Sequence, residues 1–222
     1  MSDPGGGSAT SEGDERLGIG LGRILALSDG VFAIALTLLV LDIFLPRQGA
    51  GSLSHQLLHL YPRYLAYALS FAVIARFWLA HHFAYRYIVR YDSPLLLINL
   101  LLLFLVAFLP FPTRVIGQHG DEPAAAFLYA ISVGAASAAS AAMWWYATWH
   151  RRLIRGDTPP EQIRAGRVRS AVVTILFAAS IPVSLFAPYA AVTLWLLAFV
   201  LVRIAAAWAS ARERARRAPA TG

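Results

Sequence analysis

Ser28, Asp29, Asp42, Arg76, His81, His82 and Asn99 could bind, pair or relay charge, and all sit within strongly apolar sequence. An ionisable group in hydrocarbon is costly, so it calls for a partner or a water path. Ser28 and Asp29 lie near the start of the run RILALSDGVFAIALTLLVLDI, with Asp42 near its far end. Candidate partners for Asp29 are Arg76, His81 and His82 in FAVIARFWLAHHF, with Asn99 a further hydrogen-bonding group. Arg23 precedes Asp29 by six positions, about 600° around a helix, and does not share its face. Such a cluster can lock two helices together, relay protons, or clamp a helix that also sets a pore.

Catalysis and metal binding find little support. Ser28 and Asp29 are adjacent, which on a helix turns them about 100° apart, and no nucleophile–base–orienter set is present. His81 and His82 diverge in the same way and do not chelate one ion. His55 and His59 have i, i+4 spacing but no third ligand nearby, and the chain has no cysteine. There is no glycine-rich phosphate loop and no Thr-Val-Gly-Tyr-Gly filter, and VIGQHG at 115–120 reads as a loop.

Ile34, Leu38 and Leu41 fall at i, i+4 and i+7, a single helical stripe flanked by Thr37. On a membrane helix such a stripe ordinarily packs or meets lipid. Lining a pore, it would form a constriction narrow enough to dewet. Copies of the chain around an axis would be needed, with Asp42 at the outer mouth favouring cations.

The elements that hold these residues are membrane spans. Apolar residues make up 58% of the 222 and charged residues only 14%, against roughly 25% charged in soluble domains. Mean hydropathy is +0.59, so polar surface is too scarce to cover a globule. A bilayer core needs about 20 helical residues. Six runs approach that length: Ile24–Leu45, Tyr64–Phe83, Leu95–Phe111, Ala124–Trp149, Ala171–Phe186 and Tyr189–Ala207. Pro110 and Pro112 are expected to end the third, and Pro188 divides the last two into a hairpin. Residues 1–22 are Gly/Ser-rich and acidic, without a basic segment before a short apolar run. They are expected to be a disordered cytoplasmic tail rather than a signal peptide. Residues 23–209 would form the membrane domain and 210–222 a basic cytoplasmic tail.

The net charge of +7 comes from arginine, since all 19 basic residues are Arg. With the N-terminus inside, cytoplasmic segments hold fifteen arginines and the outer loops only Arg47, Arg63 and Arg114. Both termini are therefore expected in the cytoplasm, and the charge reflects topology and lipid contact rather than nucleic acid. Tyr61, Tyr64, Trp144, Trp145, Trp149 and Trp208 lie near span ends, where amphipathic rings anchor.

The segment Arg23-Ile-Leu-Ala-Leu-Ser28-Asp29-Gly30-Val-Phe-Ala33 resembles the Arg-x-x-x-Phe-Ser-Asp signature of the transmembrane protein 175 family of potassium channels. Phe77-Trp78-Leu-Ala-His81-His82-Phe83, Asn99 and Leu109-Pro110-Phe111 are similar to bacterial members. The likeness spans roughly residues 16–210 and departs at Leu27, where the family usually has Phe. The resemblance implies an all-α membrane protein with six transmembrane helices per subunit, the first helix lining the central pore of a homotetramer. Ile34 would form the first ring, with Leu38 and Leu41 further out and Thr37 beside the narrowest point. Arg23, Ser28, Asp29, Trp78, His81, His82 and Asn99 would form the network holding the pore helix.

The expected function is a passive potassium-selective channel with hydrophobic constrictions and no carbonyl filter. A proton-coupled transporter or a structural membrane protein are the alternatives, and an enzyme is not expected. Expected partners are further copies of the chain and the bilayer of a bacterial inner membrane, with no nucleic acid and no identifiable protein partner. No cofactor or metal is expected beyond permeating K⁺.

Overall fold

The computed structural model describes residues 6–45, 52–188, 190, 191 and 193–195, with side chains from Gly18 onward. Seven α-helices occur among them: α1 Gly6–Leu38, α2 Leu53–His59, α3 Tyr61–Tyr85, α4 Ser93–Phe108, α5 Pro110–Gln118, α6 Pro123–Thr148 and α7 Pro160–Phe186. A 3₁₀ turn, Leu39–Asp42, continues α1. Five segments are long and apolar enough to cross a membrane: Gly18–Asp42, Tyr61–Tyr85, Ser93–Gln118, Pro123–Arg151 and Pro160–Phe186. The chain is an all-helical, multi-pass membrane protein. Most of the expected sixth span, Tyr189–Ala207, lies outside the described residues, as does the basic tail at 210–222.

Several element boundaries differ from the sequence reading. Helix α1 begins at Gly6, inside the segment expected to be a tail; once the apolar span has nucleated, each added residue gains a hydrogen bond. Pro110 does not end the third span. It sits in the first turn of α5, where its missing N–H leaves no bond unmade. The chain bends there and runs on to Gln118, so Val115–Gln118 of the expected loop are helical. Helix α7 likewise starts eleven residues early, with Pro160 in its first turn and Arg164, Arg167 and Arg169 within it.

The loops at one end interlock. Ile88 pairs with Ile154 as an isolated antiparallel bridge, and Arg155 donates its N–H to Tyr87 O at 2.8 Å. Asp92 caps α4 by accepting from Leu95 N at 3.0 Å, while its other oxygen accepts from the Tyr146 hydroxyl at 2.7 Å. One carboxylate thus ties α4 to α6. Arg167 of α7 reaches Thr148 through two bonds of 3.0 Å and lies over the Trp145 ring.

The interior is one continuous core whose two sides differ in side-chain size. Around α1, α3 and α4 it holds large side chains, including Phe32, Leu39, Ile74 and Leu102. Helix α6 packs through small residues, with Ala126, Ala130, Ala136 and Ala147 all buried, which lets neighbouring backbones approach closely. Gly166 shows how closely: a β-carbon there would collide with the Trp144 indole. Trp195, from the start of the sixth expected run, packs against the rings of Tyr129 and Phe177, with centroids 5.0 and 6.0 Å away.

Because Asp92 both caps α4 and accepts from Tyr146, Asp92→Ala should lower stability by about 1–3 kcal/mol. A fall in the detergent melting temperature, with Tyr146→Phe giving a smaller one, is the expected result.

Candidate functional site

The rotation of α1 follows from its own sequence. Ser28, Phe32, Ala35, Leu39 and Asp42 recur at helical spacing and are all buried against the rest of the subunit. The adjoining face, about 100° round the helix because each of its residues immediately precedes a buried one, carries Leu27, Ile34, Leu38 and Leu41 and is open. Ile34 is 60% exposed, Leu38 40% and Leu41 65%. Thr37 is exposed beside them, its hydroxyl donating to Ile34 O at 2.9 Å. In a 3₁₀ turn side chains three apart eclipse, so the tightening after Leu38 stacks Leu41 above it.

A buried polar chain fixes the inward face. The Ser28 hydroxyl donates to Ile24 O at 2.8 Å, which leaves its oxygen to accept from Asn99 Nδ2 at 3.3 Å. Asn99 Oδ1 then faces His81 Nε2 at 2.9 Å. A carbonyl oxygen only accepts, so Nε2 is the protonated nitrogen of His81. The sequence of donors runs His81 to Asn99 to Ser28 to the backbone, joining α3, α4 and α1. The His81 ring is fully buried beside Phe32 and Tyr85, at centroid distances of 5.6 and 4.6 Å.

Asp29 is not part of this chain. Its Oδ1 accepts from Trp78 Nε1 at 2.8 Å, and Trp78 lies against His82 with centroids 5.7 Å apart. These three residues form an exposed cluster beside the buried one. Arg23 is exposed and bonds to no described residue. Arg76, considered above as a partner for Asp29, faces α6 and α7 instead. The expected network therefore separates into Ser28–Asn99–His81 and Asp29–Trp78–His82, with Arg23 in neither.

Asp42, expected as an open acidic mouth, is buried. Its Oδ1 lies 2.7 Å from Arg114 Nε and 2.6 Å from Nη2. From sequence Arg114 is expected as a charge of an outer loop; α5 carries it inward because the chain stays helical past Pro110 and Pro112. The same bend brings Phe108 and Phe111 beside Leu38 and Leu41. The proline spacing was the only signal for it. His55 and His59 approach to 3.1 Å on the surface of α2, and the described residues contain no metal-binding group of three.

These features define a membrane-embedded helical bundle whose first helix is clasped by buried polar groups and presents an apolar stripe outward. Residues 23–110 match the family described as the endosomal/lysosomal potassium channel TMEM175. The potassium channel B446_29190 of Streptomyces collinus is 40% identical over 156 residues, covering 68% of this chain and 76% of that protein. The potassium channel Cha6605_3372 of Chamaesiphon minutus is 41% identical over 151 residues, covering 65% and 74%. The crystal structure of a lysosomal potassium-selective channel TMEM175 homologue from Chamaesiphon minutus superposes with a TM-score of 0.74 at 32% identity, covering 83% of this chain and 96% of the other. The chain belongs to the TMEM175 family of potassium channels, an ion-channel family and not an enzyme family.

Asn99→Ala would leave the buried His81 Nε2–H without an acceptor and Ser28 without its donor. A loss of about 1–3 kcal/mol is expected, read as a lower melting temperature. Combined with Ser28→Ala the loss should be less than additive, because both substitutions break the same link.

Proposed function

We propose that the chain is one subunit of a homotetrameric, passive K⁺-selective channel with α1 lining the pore. The observation that carries this reading is the open Ile34–Leu38–Leu41 stripe, exposed beside the buried face of a helix held by directional bonds. Four copies around an axis would turn that stripe into successive apolar rings. A ring of Ile or Leu offers a cation no oxygen ligands, so an ion passing it sheds part of its water. K⁺ holds its water less tightly than Na⁺, and the ring therefore favours K⁺ without a carbonyl filter. Asp42 is neutralised by Arg114 at one end of the stripe, which leaves selectivity to hydration rather than to an acidic mouth.

The arginine-rich end, with Arg86, Arg90, Arg151, Arg152 and Arg155 in its loops, is the cytoplasmic one by the charge bias of membrane loops. The setting is a bacterial plasma membrane. Proton-coupled transport gains no support from the site: Asp29 is held by Trp78, and His81 is bonded to a neutral amide.

Proteoliposomes loaded with K⁺ and diluted into Na⁺ test the proposal. The wild type should run the K⁺ gradient down without a coupled ion. Ile34→Asn, an exposed position in the single subunit, should keep the oligomer and cut the K⁺/Na⁺ preference severalfold by hydrating the constriction. Unchanged flux and selectivity in an intact oligomer would remove Ile34 from the pore.

A further inference from the structure

A second polar site lies away from α1. Helices α3, α6 and α7 enclose a half-open cleft of about 70 Å³, several times the space one water needs. Arg76 of α3 and Arg169 of α7 both line it, close enough to repel one another. Neither guanidinium meets a carboxylate among the described residues. Arg169 is steadied over the Phe83 ring, 5.2 Å from its centroid. Helix α6 contributes Ser137 and Ser140 to the same lining. The Ser137 hydroxyl is buried and has no hydrogen-bond partner, a group that ordinarily costs free energy unless something fills the space in front of it.

Depth narrows the choice of ligand. Arg76 lies nine residues before the end of α3 and Arg169 nine residues after the start of α7. Both are about 14 Å from those helix ends at 1.5 Å per residue. Arginine side chains at that depth reach toward the interface. Trp144 forms one wall of the cleft, with Trp145 and Trp149 close by in sequence, and such a cluster of indoles is typical of the headgroup level. Gly166 keeps the Trp144 wall in place, since any β-carbon there would displace the indole.

We propose that this cleft binds a phosphate anion, either the headgroup of an anionic phospholipid or a soluble phosphate. The two guanidiniums would each give paired N–H donors to phosphate oxygens, and the Ser137 hydroxyl would supply a further donor. The bound anion offsets the repulsion between the arginines and ties α3 to α7. Basic pockets between transmembrane helices are suited to such headgroups. The site is independent of which face of α1 lines a pore.

Native mass spectrometry and thermal melting of the detergent-purified full chain test this directly. The probes are phosphatidylglycerol, phosphatidylcholine and inorganic phosphate. Phosphatidylglycerol should add one molecule per subunit and raise the melting temperature, whereas phosphatidylcholine, whose ammonium offsets its phosphate, should do so weakly. Arg76→Gln with Arg169→Gln should weaken binding about tenfold or more, while the exposed control Arg90→Gln should not. If the double variant does not fold, Arg76→Lys with Arg169→Lys keeps both charges but loses the paired donors, and should still bind several times more weakly. Ser137→Ala should weaken binding without lowering the ligand-free melting temperature. A response to phosphatidylglycerol alone identifies a lipid, and a response to inorganic phosphate alone identifies a soluble ligand. No response to either, or wild-type affinity in the arginine variants, overturns the proposal.

Discussion

The bond from Asn99 to Ser28 sets the angle at which α1 stands in the bundle. Ser28 has already given its proton to Ile24 O, so its oxygen can only accept, and Asn99 must present its amide nitrogen. That choice turns the Asn99 carbonyl to His81. Three helices are thereby held in one rotational setting. In lipid, apolar contact scarcely distinguishes one helix rotation from another, because hydrocarbon tails are as apolar as leucine. A directional bond between buried polar groups does distinguish them. With Ser28 inward, Phe32, Ala35 and Leu39 follow at helical spacing, and Ile34, Leu38 and Leu41 are left outward.

The far end of α1 is secured differently. Asp42 and Arg114 form a charged pair in which the carboxylate is buried and the guanidinium half-exposed. Desolvating Asp42 is costly, and removing Arg114 would leave a buried charge. Nearby, Arg63 donates to Phe44 O at 2.8 Å and lies over the Phe44 ring. Helix α1 is thus fixed near Ser28 by neutral hydrogen bonds and near Asp42 by charge. Between the two anchors its register cannot shift without breaking one of them. The orientation of the open stripe follows from these two anchors, with Phe108 and Phe111 beside its Leu38 and Leu41.

The periodic features were legible in the sequence and the tertiary pairings less so. Ile34, Leu38 and Leu41 share a face because helical spacing requires it, and the exposure of that face agrees. Ser28, His81 and Asn99 stood out as polar groups in apolar runs, and they do meet. The partner of Asp29 did not follow, because Arg76, Trp78, His81 and His82 all lie on α3 and one sequence does not reveal the phase of that helix relative to α1. The pairing of Asp42 with Arg114 spans 72 positions and depends on a bend. Prolines permit either a stop or a kink, and only the packing of α5 decides between them. The early start of α7 was hidden by its arginines, which read as loop charges but occupy helical turns.

The two sides of the bundle are held by different forces. Helices α1, α3 and α4 meet through a few directional bonds among large side chains, whereas α6 combines closely packed alanines with hydrogen bonds near its end, from Tyr146 to Asp92 and from Arg167 to Thr148. Small-residue packing depends on closeness, which is why Gly166 admits no side chain. Polar bonds tie α6 to α4 and α7 through Tyr146 and Thr148, and Arg76, Arg169 and Ser137 take no part in them. A buried hydroxyl without a partner and two like charges in one cleft work against the subunit alone. An anion shared among them removes both penalties at once, whereas in the polar chain at Ser28 it is His81 Nδ1 that lacks a partner. The serine and the amide of that chain are already paired within the subunit, as befits a site that positions a helix rather than one that awaits a ligand.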